Sequence, residues 1–289
     1  MGHPYRGQSA VLATKHGKLP LVAPPLEDQV GLAVVDCDVD TDVFGTFAGD
    51  VPRTLTMGEA AIAKARLGMQ RTGLTLGLGS EGTIGPDPVT GMLTCDVELL
   101  TLVDDAQGIV ITEVVRDFEI VAISQAVSPG DSLDALRTAA DFPQHALIVR
   151  PEAVAVPELL PELLVKGVGT DVDAAELDAA IRRCAQASPS GKARVESDFR
   201  AHCSPSRQRI IRATAQALAR RIARRCPNCA TPGWGQIDLL RGLPCAACGA
   251  WVARARWGVV LGCVRCDHTL EVSDGRTTED PVRCNICNP

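Results

Sequence analysis

Four pairs of cysteines govern what the last quarter of this chain can fold into. Cys226-x-x-Cys229, Cys245-x-x-Cys248, Cys263-x-x-Cys266 and Cys284-x-x-Cys287 account for eight of its 12 cysteines. A two-residue gap lets both sulfurs of a knuckle reach one tetrahedral ion, so eight such cysteines make two four-thiolate sites, and zinc suits that donor set. Sites closed by four thiolates leave no position for a substrate, so these two ions are expected to be structural. A stretch of about 60 residues with few large apolar side chains needs staples of this kind. The spacing predicts a double zinc-ribbon domain over 226–289. Two pairings are open: sequential ribbons, with the first two pairs on one ion and the last two on another, or a nested arrangement around an inner hairpin from Cys245 to Cys266. His268 could replace a cysteine, but four complete pairs make that unnecessary. The isolated Cys37, Cys95, Cys184 and Cys203 are expected to be buried as small hydrophobes.

Charge is unevenly placed. The net charge is -6, yet from Arg200 onward there are 14 basic and 6 acidic residues, against 15 basic and 29 acidic before it. Two zinc ions on eight thiolates would reduce the tail's +8 to roughly +4. Aromatic residues are 3% of the chain, which leaves little to stack single-stranded nucleic acid upon. The N-terminus lacks a charged-then-apolar signal pattern and no run approaches a membrane span, so a soluble cytoplasmic protein with no membrane partner is expected. Reduced thiols in that compartment favour metal over disulfides.

Upstream, the stretch from Thr56 to Gly85 organises the rest. Thr56-Met57-Gly58-Glu59 reads as a capping box. Ala61, Ile62, Ala65, Gly68 and Met69 recur at helical spacing, and Gly73 ends the helix. Leu74-Thr75-Leu76-Gly77-Leu78-Gly79 is a strand with one bare face, which a ligand or another backbone can approach. It is expected to deliver Glu81 to its C-terminal end, where open α/β sheets hold ligands.

Ser9–Ala13 reads as a first strand breaking into Thr14-Lys15-His16-Gly17-Lys18, either a phosphate-cradling loop or a plain polar turn. Pro24-Pro25-Leu26-Glu27 opens a short helix, and Gly31–Asp36 is the next strand. Asp36 to Asp42 holds four aspartates, a solvated acidic turn in preference to a metal loop. Strands over 97–103 and 109–114 flank a hairpin turn, a helix at 132–140 precedes a strand at 145–150, and a further strand at 163–168 precedes an amphipathic helix capped by Asp171. The class is α/β with a mixed sheet over 1–200. Ser204-Pro205 then starts a basic linking helix over 201–225. Its Ile211, Ala215, Leu218 and Ile222 form an apolar stripe. Arg209, Arg220 and Arg224 oppose that stripe, as a solvated face or as a phosphate-facing ridge.

Ala13–Lys18, Lys64–Met69 and His145–Arg150 resemble signatures of a bacterial family described as a domain of unknown function. Over roughly the first 115 residues, Asp50-Val51-Pro52-Arg53, then Glu59-Ala60-Ala61-Ile62-Ala63-Lys64-Ala65-Arg66, then Thr72-Gly73-Leu74 resemble the inosine/xanthosine triphosphate pyrophosphatase superfamily. Gly77-Leu78-Gly79-Ser80-Glu81-Gly82 is similar to the Gly-Ile-Glu-Gly strand end of its purine-NTPase branch. That resemblance implies an inosine triphosphatase-like fold in which magnesium and acidic residues activate water against the α-phosphate of a nucleoside triphosphate. It implies phosphate contacts from Lys18 and Lys64, beside the loop residue Thr14, and a catalytic role on the metal or water for Glu59 and Glu81. The chain departs from the pattern in three places: His16 stands where Asn is usual, no Asp-Asp-Ser-Gly follows the helix, and Ser204-Pro205-Ser206-Arg207 lacks the His of the base-reading motif. The expectation is therefore a metal-dependent protein that binds or hydrolyses a nucleotide or another phosphate-bearing small molecule, with a structural zinc tail. The alternative is a non-enzymatic module that binds nucleic acid or protein through that tail.

Overall fold

Strand and helix alternate from the start of the chain: β1 (Ser9–Ala13), α1 (Leu19–Val30), β2 (Ala33–Cys37), α2 (Met57–Thr72) and β3 (Leu76–Pro86), before β4 (Thr94–Asp104) and β5 (Ile109–Asp117) close with a hairpin. The computed structural model describes residues 2–45, 51–154, 160–169 and 174–289. Asp50 of the Pro-turn motif and Asp171, the expected cap, lie outside the described residues. The five strands form one sheet in the order β2-β1-β3-β4-β5. β1 runs parallel to β2 and β3, while β4 and β5 are antiparallel. The sheet is therefore mixed, and its order reverses at β1, where the chain steps out to β2 and returns to β3.

Each helix is fixed by its apolar face. Leu21, Val22, Leu26 and Val30 of α1 join Leu76, Leu78, Leu100 and Leu102 in the main core. That buried stripe starts α1 at Leu19 and carries it through Pro24 and Pro25, so the prolines sit inside the helix instead of opening it. On the other face, α2 begins with the expected Thr56–Glu59 capping box and ends at Gly73 in the left-handed region. Its backbone lies directly on the bare face of β3. A Cβ on Gly79 would stand 1.8 Å from the Ala61 carbonyl oxygen, and one on Gly77 would stand 2.7 Å from that of Ala65. The glycines thus admit a helix, not a ligand. β3 is also longer than expected: it runs on to Pro86, which places Glu81 mid-strand. Its pairing with β1 ends at Leu78, and β1 itself stops at Ala13, so Ser80 and Glu81 stand beyond the carboxyl end of β1.

A second sheet, which sequence patterning did not separate from the first, contains β6 (Ser124–Val127), β7 (Leu147–Pro151), β8 (Val165–Val168) and β9 (Ala193–Ser197) in the antiparallel order β6-β9-β7-β8. α3 (Asp134–Ala139) and α5 (Ala174–Gln186) pack on it around Leu136, Leu147, Val149, Leu177 and Ile181, and α4 (Leu160–Leu163) leads into β8. α6 (Pro205–Ala223), capped by the Ser204 hydroxyl, then buries Ile211, Ala215, Leu218 and Ile222 in the main core as its stripe predicts. Its basic side is partly engaged by the fold, with Arg209 on Asp117 at 3.0 Å and Arg221 on Glu113 at 3.1 Å. Cys95, Cys184 and Cys203 are buried, whereas Cys37 on the edge strand β2 is only half-buried. Among the described residues, no helix is long and apolar enough to cross a membrane.

The cysteine-rich region is a three-stranded antiparallel sheet, β10 (Gly235–Pro244), β11 (Trp251–Gly262) and β12 (Thr269–Ser273). Its own core is small, centred on Leu243, Cys245, Val252, Ala255 and Cys284. One end is docked on the main core. Gly233 packs on Ile111, its carbonyl accepts from Arg221 at 3.1 Å, and Val264 packs against the main cluster.

Candidate functional site

The antiparallel pairing of β10 and β11 decides how the cysteines meet. Gly235 pairs with Gly262 and Pro244 with Trp251, so the knuckle before β10 and the knuckle after β11 share one end of the sheet. The turn knuckle, Cys245-x-x-Cys248, lies at the other end. After β12 the chain returns to that end, where Glu279 exchanges backbone hydrogen bonds with Pro244 and Ala246. Two tetrads result, Cys226/Cys229/Cys263/Cys266 and Cys245/Cys248/Cys284/Cys287, each with its sulfurs within 4.8 Å of one another. First joins third and second joins fourth, so the pairing is interleaved, neither sequential nor nested. A single strand of ten residues separates Cys229 from Cys245, and at about 3.4 Å per residue it holds those knuckles roughly 30 Å apart.

The sulfur spacing tests the fit to an ion. Within the tetrads, sulfur pairs stand 3.8 Å (Cys226–Cys266), 3.6 Å (Cys229–Cys263), 3.8 Å (Cys245–Cys287) and 3.7 Å (Cys248–Cys284) apart. A tetrahedron with metal–sulfur arms of about 2.3 Å puts its corners about 3.8 Å apart, whereas a disulfide would need about 2.05 Å. The donor sets therefore could hold two metal ions. Backbone amides of Ala247 and Arg265 donate to the sulfurs of Cys245 and Cys263 at 3.4 and 3.3 Å. In each tetrad one sulfur is drawn down and another pushed up. The hydrogen bond with Thr231 draws Cys229 down to about 6, while burial pushes Cys263 up to about 11. The amides of Cys287 and Ile286 draw Cys284 down to about 7, while the hydrogen bond with Cys248 pushes Cys287 up to about 12. His268 stacks on Trp234, with ring centroids 5.2 Å apart, and belongs to neither tetrad.

A cleft of about 260 Å³ opens where β1 stops, at the reversal of strand order. The loop after β1 supplies Thr14, Lys15, His16 and Lys18; α2 supplies Lys64; β3 supplies Ser80 and Glu81. From the opposite side come Lys166 of β8, then Asp198 and Arg200 beyond β9, while Arg53 and Arg207 line it as well. The structure thus brings together four residues that the sequence singled out, Thr14, Lys18, Lys64 and Glu81. Sequence reasoning did not assign Arg53, Lys166, Asp198, Arg200 or Arg207 to a site. One signal for them lay in composition. The chain contains 24 arginines and only five lysines, and Lys15, Lys18, Lys64 and Lys166 all line this cleft, leaving Lys192 alone outside.

Most cations of the cleft are held by carboxylates. Lys15 meets Asp42 at 2.8 Å and Asp40 at 3.0 Å, so the acidic run after β2 positions the first loop. His16 meets Asp42 at 3.2 Å, and burial holds its imidazole below the usual value. Lys64 pairs with Glu81, both largely buried. Arg200 is locked on the buried Asp198 at 2.6 Å, and Arg207 on Glu98 at 2.5 Å. Arg53 donates to the Gly82 carbonyl at 2.8 Å. Lys18 differs. It is 8% exposed, it donates to the Ser80 hydroxyl at 2.9 Å, and no described carboxylate pairs with it. Burial, helped by Arg207 and Lys64, pushes its amine down to about 8. Lys18 is also the N-cap of α1, whose first turn has no side-chain cap, so the positive end of that helix borders the cleft.

Glu59 lies elsewhere. Its carboxylate accepts from the Thr56 amide at 2.9 Å and hydroxyl at 2.7 Å, closing the capping box on the exposed start of α2, and it does not line the cleft. Glu59 thus stands apart from Thr14, Lys18, Lys64 and Glu81. Glu81 is taken up by Lys64, and among the described residues the two cysteine tetrads are the clusters with metal-ligand spacing. The carboxylates that line the cleft, Asp42, Glu81 and Asp198, are each paired with a cation and do not fit a preformed magnesium site.

His145, Asp141 and Ser206 make a second polar constellation. The imidazole is 3.0 Å from the Asp141 carboxylate and 3.0 Å from the Ser206 hydroxyl, an order that suggests a nucleophile relay. The Ser206 amide, however, already donates to the same ring nitrogen at 3.1 Å. The ring is a tether between the second sheet and the N-terminus of α6.

A family model described as Domain of unknown function (DUF6671) matches residues 64–289. The chain belongs to the DUF6671 family. The matched span includes Lys64, Glu81, Lys166, Arg200, Arg207 and all eight paired cysteines, while the Thr14–Lys18 loop lies before it. No curated protein and no solved structure matches the chain.

Proposed function

We propose that this DUF6671 protein binds a phosphate-bearing small molecule in the lysine-lined cleft, and that its two cysteine tetrads carry structural zinc. The observation behind the cleft reading is the convergence of four of five lysines, with Arg53, Arg200 and Arg207, on one concavity at the switch point of the sheet. Lysine ammoniums and an uncapped helix start are what phosphate oxygens require, and Lys18 is a buried cation whose missing counter-ion a phosphate would supply. A nucleotide is the ligand that the resemblance of the first 115 residues to triphosphate pyrophosphatases favours. In this reading Lys64 and Glu81 act as one hydrogen-bonded pair: Lys64 offers charge to the anion, and Glu81 holds it in place.

The nucleic-acid alternative draws less support. Of the 14 basic residues from Arg200 onward, eight lie between Arg200 and Arg225, where Arg200, Arg207, Arg209 and Arg221 are ion-paired within the fold. The remaining six, after Cys226, are balanced by six acidic residues.

Calorimetric titration with inorganic pyrophosphate and with a nucleoside triphosphate tests the cleft. Saturable binding that weakens with salt, and weakens at least tenfold in Lys166→Ala, is expected. Absence of saturable binding by both anions would overturn it.

A further inference from the structure

Lysine and arginine are equivalent as phosphate counter-charges in most settings, but only lysine can lose its proton near neutral pH and become a nucleophile. That difference bears on a chain that uses arginine 24 times and places four of its five lysines in one cleft. Among the four, Lys15 and Lys64 are ion-paired to carboxylates. Lys18 has the opposite surroundings. Its amine is buried, opens on the cleft, donates to a neutral hydroxyl, and has Arg207 and Lys64 as cationic neighbours. Glu98 and Glu81 favour its charged form, but burial and the two cations outweigh them.

We propose that Lys18 is a nucleophilic amine that forms an imine with the carbonyl group of a phosphate-bearing compound bound in this cleft. The inference rests on the phosphate reading above, because the phosphate is what brings the carbonyl to the amine. In the step, the Lys18 nitrogen lone pair attacks the carbonyl carbon and a C–N bond forms. The C=O electrons pass to the oxygen, which leaves as water with the two protons of the amine, and a C=N bond remains. Ser80, hydrogen-bonded to the amine, is placed to relay a proton to the departing oxygen, with the Glu81–Lys64 pair on the adjacent strand position. The burial that holds the Lys18 amine near 8 keeps a usable fraction of it neutral at physiological pH.

Pyridoxal 5′-phosphate, a carbonyl joined to a phosphate, is the probe, with borohydride to fix the imine and peptide mass mapping to locate it. Lys192, exposed and outside the cleft, is the internal control. The expected result is at least tenfold more label on Lys18 than on Lys192 at substoichiometric probe. Inorganic pyrophosphate should suppress that label, and pyridoxal without the phosphate should reproduce it poorly. Lys18→Arg should lose the cleft label, whereas Lys192→Arg, outside the cleft, should keep both that label and the pyrophosphate affinity measured calorimetrically. Even labelling of Lys15, Lys18, Lys64, Lys166 and Lys192 would overturn the proposal. Pyrophosphate binding without label on Lys18 would defeat the imine alone, whereas failure of pyrophosphate to bind would defeat the phosphate reading beneath it.

Discussion

Arg207, at the start of α6, meets Glu98 of β4 with its Nε 2.5 Å from Oε1, and the two side chains are 2% and 1% exposed. Gly82 makes the room, since a Cβ there would stand 2.3 Å from Glu98 Oε1. The same guanidinium donates to the Phe199 carbonyl and lines the cleft, so one residue joins α6, β4 and the chain leaving β9 behind the anion site. Removing one partner of such a pair strands the other as a buried charge, at a cost of about 3–5 kcal/mol. Arg207→Ala is therefore expected to lower the urea midpoint strongly. Glu98→Leu combined with Arg207→Met should recover most of that stability and yet lose pyrophosphate binding. Recovery of both would show that Arg207 serves the fold alone.

The bare face of β3 gives a second prediction. Gly79→Ala would drive a methyl group into the Ala61 carbonyl, backbone against which nothing can rotate away. Separating α2 from the sheet should destabilise the protein by roughly 3 kcal/mol or more, in the range of severe overpacking. Gly85→Ala, on the same strand with open space around it, should shift stability by less than about 0.5 kcal/mol. Thermal unfolding of both variants measures the contrast, and similar losses would contradict the close helix approach.

For the tetrads, elemental analysis of protein purified under reducing conditions should find two zinc ions per chain. Cys226→Ser should release one ion and make Cys229, Cys263 and Cys266 alkylatable while Cys245, Cys248, Cys284 and Cys287 stay protected. Cys245→Ser should give the mirror pattern. Exposure of Cys245 and Cys248 in the first variant would restore the sequential pairing that the interleaved sulfurs exclude.

These particulars mark what a single sequence reveals. The capping box at Thr56, the stop at Gly73, the β4–β5 turn and the stripe of α6 were legible because each is local, a matter of spacing within one or two turns. So was the existence of eight metal-type cysteines. Their pairing was not, because it depends on residues 235–244 forming one long strand instead of folding back between Cys229 and Cys245. The bare glycines of β3 read equally well as ligand space or as helix contact until α2 is placed. Arg207 was noticed only within a Ser-Pro-Ser-Arg run that lacks the His of a base-reading motif, and its partner lies 109 residues away. In the second sheet the strands near 145–150 and 163–168 were legible, but β6 and β9 escaped for a different reason. β6 has four residues and β9 pairs Arg194 and Glu196 across to Glu152 and Arg150, so its outer face reads as charged loop.

Asp96 carries the last prediction. It lies on β4 beside Glu98, is fully buried, and neither carboxylate oxygen has a hydrogen-bond partner among the described residues. Burial, reinforced by the Glu98 charge and by Asp117, raises its pKa to about 8, against the opposing pull of Arg207 and Lys18. In the folded state Asp96 is thus neutral where the unfolded chain, with a carboxyl near 3.8, has already lost its proton. Between those values the native state binds more protons than the unfolded one, so stability falls as pH rises, by up to about 1.4 kcal/mol per unit. The stability is fully present below about pH 4 and lost on approaching pH 8. Asn mimics the protonated acid in shape and cannot ionise. Asp96→Asn should therefore match the wild type near pH 4.5 and exceed it by roughly 2 kcal/mol or more at pH 7.5. Measurement below pH 8 keeps the titration of Lys18, which acts in the opposite sense between about 8 and 10.5, out of the comparison. Urea unfolding of both proteins across that range is the experiment. Parallel curves for wild type and variant would mean that Asp96 is solvated and ionised in the fold.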